Sequence, residues 1–111
     1  MYGMSMTIQL LYFDGCPTSK EMKQTLEEIL SEEDVDAQIQ LLPVNTAEEA
    51  QRVQLPGSPT IRLNGRDPFP VGKRLDWWLG CRMYSTADGL RGTPTKAMLR
   101  EALLAAYQRE V

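Results

Sequence analysis

Histidine is absent from this chain of 111 residues. Its absence removes the commonest metal ligand and the commonest general base in proteins. The sequence therefore excludes zinc hydrolysis and the Cys-His and Ser-His-Asp catalytic arrangements, and we expect neither a metal nor another cofactor. Cysteine is scarce as well, since the chain has only two, Cys16 and Cys81.

Long apolar runs and basic stripes are also missing. No apolar stretch approaches the roughly 18 residues that span a bilayer, and residues 1–13 lack the pattern of a signal peptide. The 12 basic residues are scattered among 15 acidic ones, for a net charge of −3. We therefore expect a cytoplasmic protein that binds neither membranes nor nucleic acid. In that compartment the cysteines are expected to be free thiols, redox-active or structural, rather than a permanent bridge.

The length and the 42% content of hydrophobic residues fit one compact domain over residues 1–111, with a core that needs no disulfides. Apolar patterns and turn residues predict the order strand, helix, strand, helix, strand, strand, helix. The predicted strands are residues 7–13, 37–44, 60–63 and 81–85. The predicted helices begin at Pro17, Thr46 and Thr93.

This order of elements predicts an α/β fold with a central four-stranded mixed sheet flanked by helices. The first two strands are joined through a helix, so they should be parallel with a right-handed crossover, and the last two should form an antiparallel hairpin. Thr18 with Glu21, and Thr46 with Glu49, have the spacing of capping boxes at the first two helix N-termini.

Cys16 is the most informative residue, because it stands between the first predicted strand and the first predicted helix. Backbone N–H groups at a helix N-terminus favour a thiolate, which is the reactive form of cysteine. The carboxylate of Asp14 would oppose this effect. Ser19 stands where a dithiol site would have its second cysteine, so no local disulfide can form. Its hydroxyl either hydrogen-bonds to the thiolate or solvates the first helical turn.

A long segment, residues 66–80, separates the third and fourth predicted strands and carries Trp77 and Trp78. The Asn64-Gly65 dipeptide before it predicts a hairpin turn, but the segment is longer than most hairpin loops. Long ordered loops are often functional, which predicts a lid or a partner surface. The alternative is an irregular flap whose tryptophans fill the edges of the core.

Cys81 is a candidate second thiol. If it begins the fourth strand, it lies at the hairpin end of the sheet, about 13 Å from the Cys16 end. A disulfide tolerates Cα separations only up to about 7 Å, so we expect a buried or second-site thiol rather than a direct partner of Cys16. The nearby Arg62, Arg66 and Arg82 are candidates for binding an acidic ligand, with solvated surface charge as the alternative.

Residues 15–19 (Gly-Cys-Pro-Thr-Ser), residues 56–60 (Pro-Gly-Ser-Pro-Thr) and the order of elements resemble the thioredoxin and glutaredoxin superfamily over nearly the whole chain. The resemblance implies a thioredoxin-like fold, a nucleophile at Cys16 and a cis peptide bond before Pro59. It makes Cys16, Ser19 and Pro59 the catalytic candidates. The candidates for substrate binding are Pro17, Ser58, Thr60, Trp77 and Trp78.

The chain departs from that superfamily in several motifs. It lacks the two-cysteine site of thioredoxin and the Cys-Gly-Phe-Ser site of the monothiol glutaredoxins that carry iron-sulfur clusters. It also lacks a lysine just before Cys16 and the Gly-Gly turn with which glutaredoxins hold glutathione. These departures weaken the expectation of glutathione use or cluster binding.

Two hypotheses of function follow. In the first, the chain is a monothiol exchange protein, in which the Cys16 thiolate attacks a disulfide of a protein or a small thiol compound and an external thiol completes the cycle. In the second, it is a noncatalytic binding module that holds a partner with the Pro59 edge and the 66–80 flap. Binding of a soft metal through Cys16 and Cys81 is a third possibility, for which two distant thiols make a poor site.

Overall fold

The computed structural model describes residues 6–71 and 77–109, and it has a mixed α/β architecture with three helices. The elements in chain order are β1 Met6–Tyr12, α1 Ser19–Glu32, β2 Ala37–Pro43, α2 Ala47–Val53, β3 Thr60–Leu63, β4 Tyr84–Thr86, β5 Gly89–Arg91 and α3 Lys96–Arg109. Among the helices of this described part, none has the length and apolarity that crossing a membrane requires.

The main sheet has β1 at its centre, in the order β2-β1-β3. β1 pairs with β2 in parallel, with Ile8 opposite Ile39, and with β3 in antiparallel, with Ile8 opposite Leu63. The central position explains the apolar sequence of β1, whose side chains at positions 6, 8, 10 and 11 are all buried. The predicted parallel pairing of the first two strands is confirmed.

The prediction of a fourth strand in this sheet is wrong, because the main sheet of the described residues has three strands. The fourth predicted strand begins instead at Tyr84, and it pairs with β5 in a separate antiparallel hairpin. Gly89, the first residue of β5, directly follows the two-residue turn and has a positive φ of 97°, which glycine adopts readily. After β3, the chain closes a tight turn in which the N–H of Leu63 donates to the carbonyl of Arg66.

Helices α1 and α3 share one buried cluster, whereas Ala50 of α2 is buried in a second cluster with Leu11. Met22, Leu26 and Ile29 of α1 are buried in the same cluster as Leu99 and Leu103 of α3. The helices therefore hold the N-terminal end of α1 in a fixed position above the sheet.

The two predicted capping boxes have different outcomes. At α2, the Thr46 hydroxyl accepts a hydrogen bond from the N–H of Glu49 at 3.0 Å, as predicted. At α1, Thr18 is the N-cap but its side chain makes no capping hydrogen bond. Its hydroxyl donates instead to the carbonyl of Gly92 at 3.1 Å, so α1 begins at Ser19 rather than Pro17.

Arg82 is the charged side chain that holds the chain after β3 in place. Its side chain is 3% exposed, and its Nη1 lies 2.7 Å from Oδ2 of Asp67 and 3.0 Å from Oγ1 of Thr60. Its Nη2 donates to the carbonyl of Phe69, and the guanidinium lies 4.4 Å from the centre of the Tyr84 ring. The Arg82 side chain therefore joins the 67–69 loop, the start of β3 and the start of β4.

The other two arginines proposed for ligand binding have different environments. Arg62 donates from Nη2 to the carbonyls of Val53 and Gln54, at 2.7 and 3.0 Å, and so satisfies the C-terminal end of α2. Arg66 is exposed and lines a groove between its turn and α3. The expectation that Arg82 meets an external acidic ligand is wrong, since its carboxylate partner is Asp67 of the same chain.

We expect Arg82→Lys to lower the free energy of unfolding by about 3 kcal/mol, because breaking a buried ion pair leaves an unmatched charge and lysine cannot reproduce the planar fork of donors. Urea unfolding followed by circular dichroism measures the change. The control is Arg52→Lys, whose side chain is 66% exposed in its pair with Glu48; we expect a change within about 0.5 kcal/mol there. Equal stabilities of the two variants would contradict the role given to Arg82.

Candidate functional site

Cys16 lies in the turn between β1 and α1, three positions before the first helical residue. Its N–H donates to the carbonyl of Phe13 at 3.1 Å, and Gly15 supplies the positive φ of 87° that this turn needs. The residue is 7% exposed. The turn thus presents a mostly covered thiol at the N-terminal end of α1.

Hydrogen-bond donors surround the sulfur of Cys16. Burial raises the pKa of this thiol, but a hydrogen bond from the Ser58 hydroxyl lowers it. The backbone N–H of Thr18 lowers the pKa further. The hydroxyl oxygen of Thr18 lies 3.9 Å from Sγ, but its hydrogen is donated to the carbonyl of Gly92. The backbone N–H of Ser19 adds to the same effect. The donors together outweigh burial, so the pKa of Cys16 lies below that of an ordinary cysteine.

Ser58 is placed to stabilise a negative charge on this sulfur. It is 1% exposed, and its hydroxyl oxygen accepts a hydrogen bond from the N–H of Phe13 at 3.3 Å. Because that oxygen already accepts a bond, its hydrogen is directed elsewhere and can be donated to Cys16. We predicted a substrate-binding role for Ser58, whereas its observed contact is with the thiol itself.

Two residues near the thiol differ from the sequence-based predictions. The hydroxyl of Ser19 is buried and donates to the carbonyl of Cys16 at 3.2 Å, so only the backbone of Ser19 supports the thiolate. The carboxylate of Asp14, expected to oppose the thiolate, accepts a hydrogen bond from Nδ2 of Asn45 at 3.1 Å. Sequence reasoning missed Thr18 as a contact of the sulfur, although its position two residues after Cys16 was a usable signal.

Pro59 and Thr60 are both buried. The Ser58–Pro59 peptide bond is cis, as the resemblance implied. The carbonyl of Pro59 accepts a hydrogen bond from the Tyr84 hydroxyl, whose pKa is raised by burial. The hydroxyl of Thr60 donates to the carbonyl of Gly57 at 2.7 Å and accepts from Arg82, so this side chain serves the fold and does not face a substrate.

Cys81 lies in a different place from the one predicted. Its backbone pairs with Ser58 in an isolated parallel bridge, in which the N–H of Ser58 donates to the carbonyl of Gly80 at 2.7 Å. The N–H of Arg82 donates to the carbonyl of Ser58 at 2.9 Å. The expected separation along the sheet is therefore wrong, and so is the expected burial, since Cys81 is an exposed free thiol.

The two tryptophans contact α2 and the segment between α2 and β3. Trp78 is 49% exposed, its N–H donates to the carbonyl of Leu55 at 3.1 Å, and its Nε1 donates to that of Pro56 at 3.3 Å. The carbonyl of Trp77 accepts a hydrogen bond from Gln51. The predicted flap extends through residues 72–76, which lie outside the described residues. Its role as a partner surface stays a prediction.

An open groove of about 1000 Å³ runs from Cys16 along α1. Its walls combine apolar and charged side chains, among them Tyr12, Pro17, Lys20, Lys23 and Leu41. Pro17 is the one predicted substrate-binding residue that lines it. Within residues 6–71 and 77–109, no three side chains of the metal-ligating kinds lie together.

We expect Ser58→Ala to raise the pKa of Cys16 and to slow its alkylation at pH 7 by roughly tenfold, because the variant loses a charge-assisted hydrogen bond. Both should be measured with iodoacetamide in a Cys81→Ser background, so that only Cys16 reacts. Ser19→Ala is the control, since its hydroxyl bonds to a carbonyl and not to the sulfur. If Ser19→Ala slowed the reaction as much as Ser58→Ala, Ser58 would have no special part in stabilising the thiolate.

Comparison of the chain with models of known protein families finds no match, and comparison with curated proteins finds no similar sequence.

Proposed function

We propose that the protein carries out thiol-disulfide exchange with Cys16 as the nucleophile, on a thioredoxin-like α/β domain. The observation that carries the proposal is the set of donors from Ser58, Thr18 and Ser19 around a single sulfur, which lowers its pKa. Such a shift is what a nucleophilic thiol requires near neutral pH. The order β2-β1-β3, with one parallel and one antiparallel pair, supports the thioredoxin-like part of the proposal.

The reaction begins when the Cys16 thiolate attacks one sulfur of a substrate disulfide. A new S–S bond forms to Cys16, the old S–S bond breaks, and the released thiolate takes a proton from solvent. The product is a mixed disulfide between Cys16 and one half of the substrate. A second thiol must then attack it, and Ser19 cannot supply that thiol from the first turn of α1.

The groove beside Cys16 gives the substrate its path to the sulfur. Cys16 is 7% exposed, so the attacking sulfur is reached from the groove rather than from a flat surface. Lys20 and Lys23 lie along the groove, while Tyr12 and Leu41 supply apolar surface. The groove also contains Asp14 and Glu27, and Nζ of Lys23 lies 3.0 Å from Oε2 of Glu27. This lining suits a disulfide with an apolar part, whether from a peptide or from a small thiol compound.

A noncatalytic binding module is the second candidate function. The observation in its favour is Trp78, which is 49% exposed next to the segment that precedes β3. Half-exposed tryptophans are enriched among the residues that dominate protein interfaces. Against the original form of this hypothesis, both main-chain polar groups of Ser58 are taken up by residues 80 and 82 of the same chain.

The pH dependence of Cys16 alkylation tests the nucleophile. In Cys81→Ser protein, we expect the midpoint of the iodoacetamide profile to lie below the value near 8.5 of a free cysteine, because the surrounding donors stabilise the thiolate. N-acetylcysteine in the same buffers provides the reference profile. Burial slows the reaction at every pH, so the midpoint rather than the plateau is the diagnostic quantity. A midpoint at or above the reference would remove the chemical basis of the proposal.

Catalysed exchange separates the two candidate functions. We expect wild-type protein to speed the reduction of hydroxyethyl disulfide by a dithiol. Cys16→Ser should reduce this rate by about a hundredfold or to the uncatalysed level. Ser85→Ala, an exposed substitution in β4, should keep the wild-type rate. A wild-type rate equal to that of buffer would instead favour the binding module.

A further inference from the structure

Ser58 stands between the two cysteines of the chain. Its hydroxyl oxygen accepts a hydrogen bond from the N–H of Phe13, in the turn that leads to Cys16, while its backbone pairs with the chain at Cys81. Neighbouring extended chains lie about 4.8 Å apart, so one strand spacing separates the backbone of Cys81 from that of Ser58. Both cysteines therefore lie beside the same residue.

The pairing also fixes the side of the sheet on which Cys81 lies. Residues directly opposite each other in a bridge project their side chains to the same face. The side chain of Ser58 is directed to the turn that holds Cys16, since its Oγ accepts a hydrogen bond from the N–H of Phe13 and the carbonyl of Phe13 accepts one from the N–H of Cys16. Cys81 therefore projects to the face on which this turn lies. Exposure differs between the two thiols, because Cys81 is open to solvent and Cys16 is mostly covered.

The contacts of its two neighbours in the sequence hold Cys81 in position. The next residue, Arg82, has its guanidinium in the buried contacts with Asp67 and Thr60. The preceding residue, Gly80, accepts a hydrogen bond from the N–H of Ser58. A thiol held in this way meets a mixed disulfide at Cys16 more often than a thiol in solution does, which raises its effective concentration.

We propose that Cys81 is the resolving thiol of the Cys16 reaction; the inference rests on the proposed exchange function. The Cys81 thiolate attacks Sγ of Cys16 in the mixed disulfide. The Cys16–Cys81 bond forms, the bond from Cys16 to the substrate sulfur breaks, and the second substrate half leaves as a thiolate that takes up a proton. Over both steps the substrate disulfide gains two electrons and is reduced, and the two cysteines are oxidised. An external dithiol then reduces the pair.

Closing this bond requires the Cα atoms of the two cysteines to come within about 7 Å. The chain therefore functions as a two-thiol protein although the first turn of α1 contains a single thiol. Its second thiol comes from the segment that precedes β4.

The aromatic disulfide 5,5′-dithiobis(2-nitrobenzoate) is a suitable probe, because each attack by a thiolate releases one coloured thiolate. With one equivalent of probe per chain, wild-type protein should release two coloured thiolates. Its mass should then be that of the reduced chain less two hydrogen atoms, with no probe attached. Cys81→Ser should release one coloured thiolate rapidly and keep the other half of the probe on Cys16. Cys16→Ser should react at Cys81 alone and keep its adduct.

A matched control moves the second thiol by two positions. Cys81→Ser combined with Met83→Cys puts an exposed thiol at position 83, whose native side chain is 54% exposed. We expect this variant to release its second coloured thiolate at least about tenfold more slowly than wild type, because the displaced thiol has a lower effective concentration at Cys16. Circular dichroism spectra identical to that of wild type show that each variant is folded.

The possible failures of this experiment are distinguishable. Rapid first release followed by a stable probe adduct on Cys16 in wild-type protein overturns the role of Cys81 and leaves the nucleophile intact. A pH profile of first release from Cys81→Ser protein whose midpoint lies at or above that of N-acetylcysteine overturns the proposed exchange function itself. Resolution by the thiol at position 83 at the wild-type rate would also contradict the proposal, because the pairing with Ser58 would then have no consequence.

Discussion

The buried guanidinium of Arg82 is the interaction on which the site depends. Three oxygens, from Asp67, Thr60 and Phe69, converge on it from segments far apart in sequence, and the ring of Tyr84 covers it. Burial of a charge is tolerated only when partners of this kind surround it. Because the same residue donates its N–H to the carbonyl of Ser58, the buried charge also fixes the chain beside the thiol.

Ser58 links the contacts of Arg82 to the thiol of Cys16. Its two main-chain polar groups hold residues 80–82, and its hydroxyl lowers the pKa of Cys16, so a single residue connects the structural contacts to the Cys16 sulfur. The stabilisation of a thiolate here is a sum of local hydrogen bonds rather than an effect of a neighbouring cation. It needs no histidine, a residue that the chain lacks.

Local patterns in the sequence predicted much of the fold. β1 to β3 and the three helices lie within a few residues of their predicted positions, because apolar periodicity and turn residues act over short distances. The site at Cys16 was predicted from its place between a strand and a helix. The position of Cys81 was not predictable, since it depends on Arg82 contacts with residues 13 to 22 positions away. A sequence does not distinguish a buried, paired arginine from one whose charge is solvated at the surface.

The pairing of residues 80–82 with Ser58 has a consequence for selectivity. The N–H and the carbonyl of Ser58 are already hydrogen-bonded to the protein's own backbone. An extended polypeptide therefore cannot pair with Ser58 as an added strand while these bonds are in place. Such a polypeptide would first have to displace residues 80–82, and that displacement would break the buried contacts of the Arg82 guanidinium. The architecture therefore disfavours ligands that bind through backbone pairing, and it favours ligands that fit the shape and charge of the groove along α1.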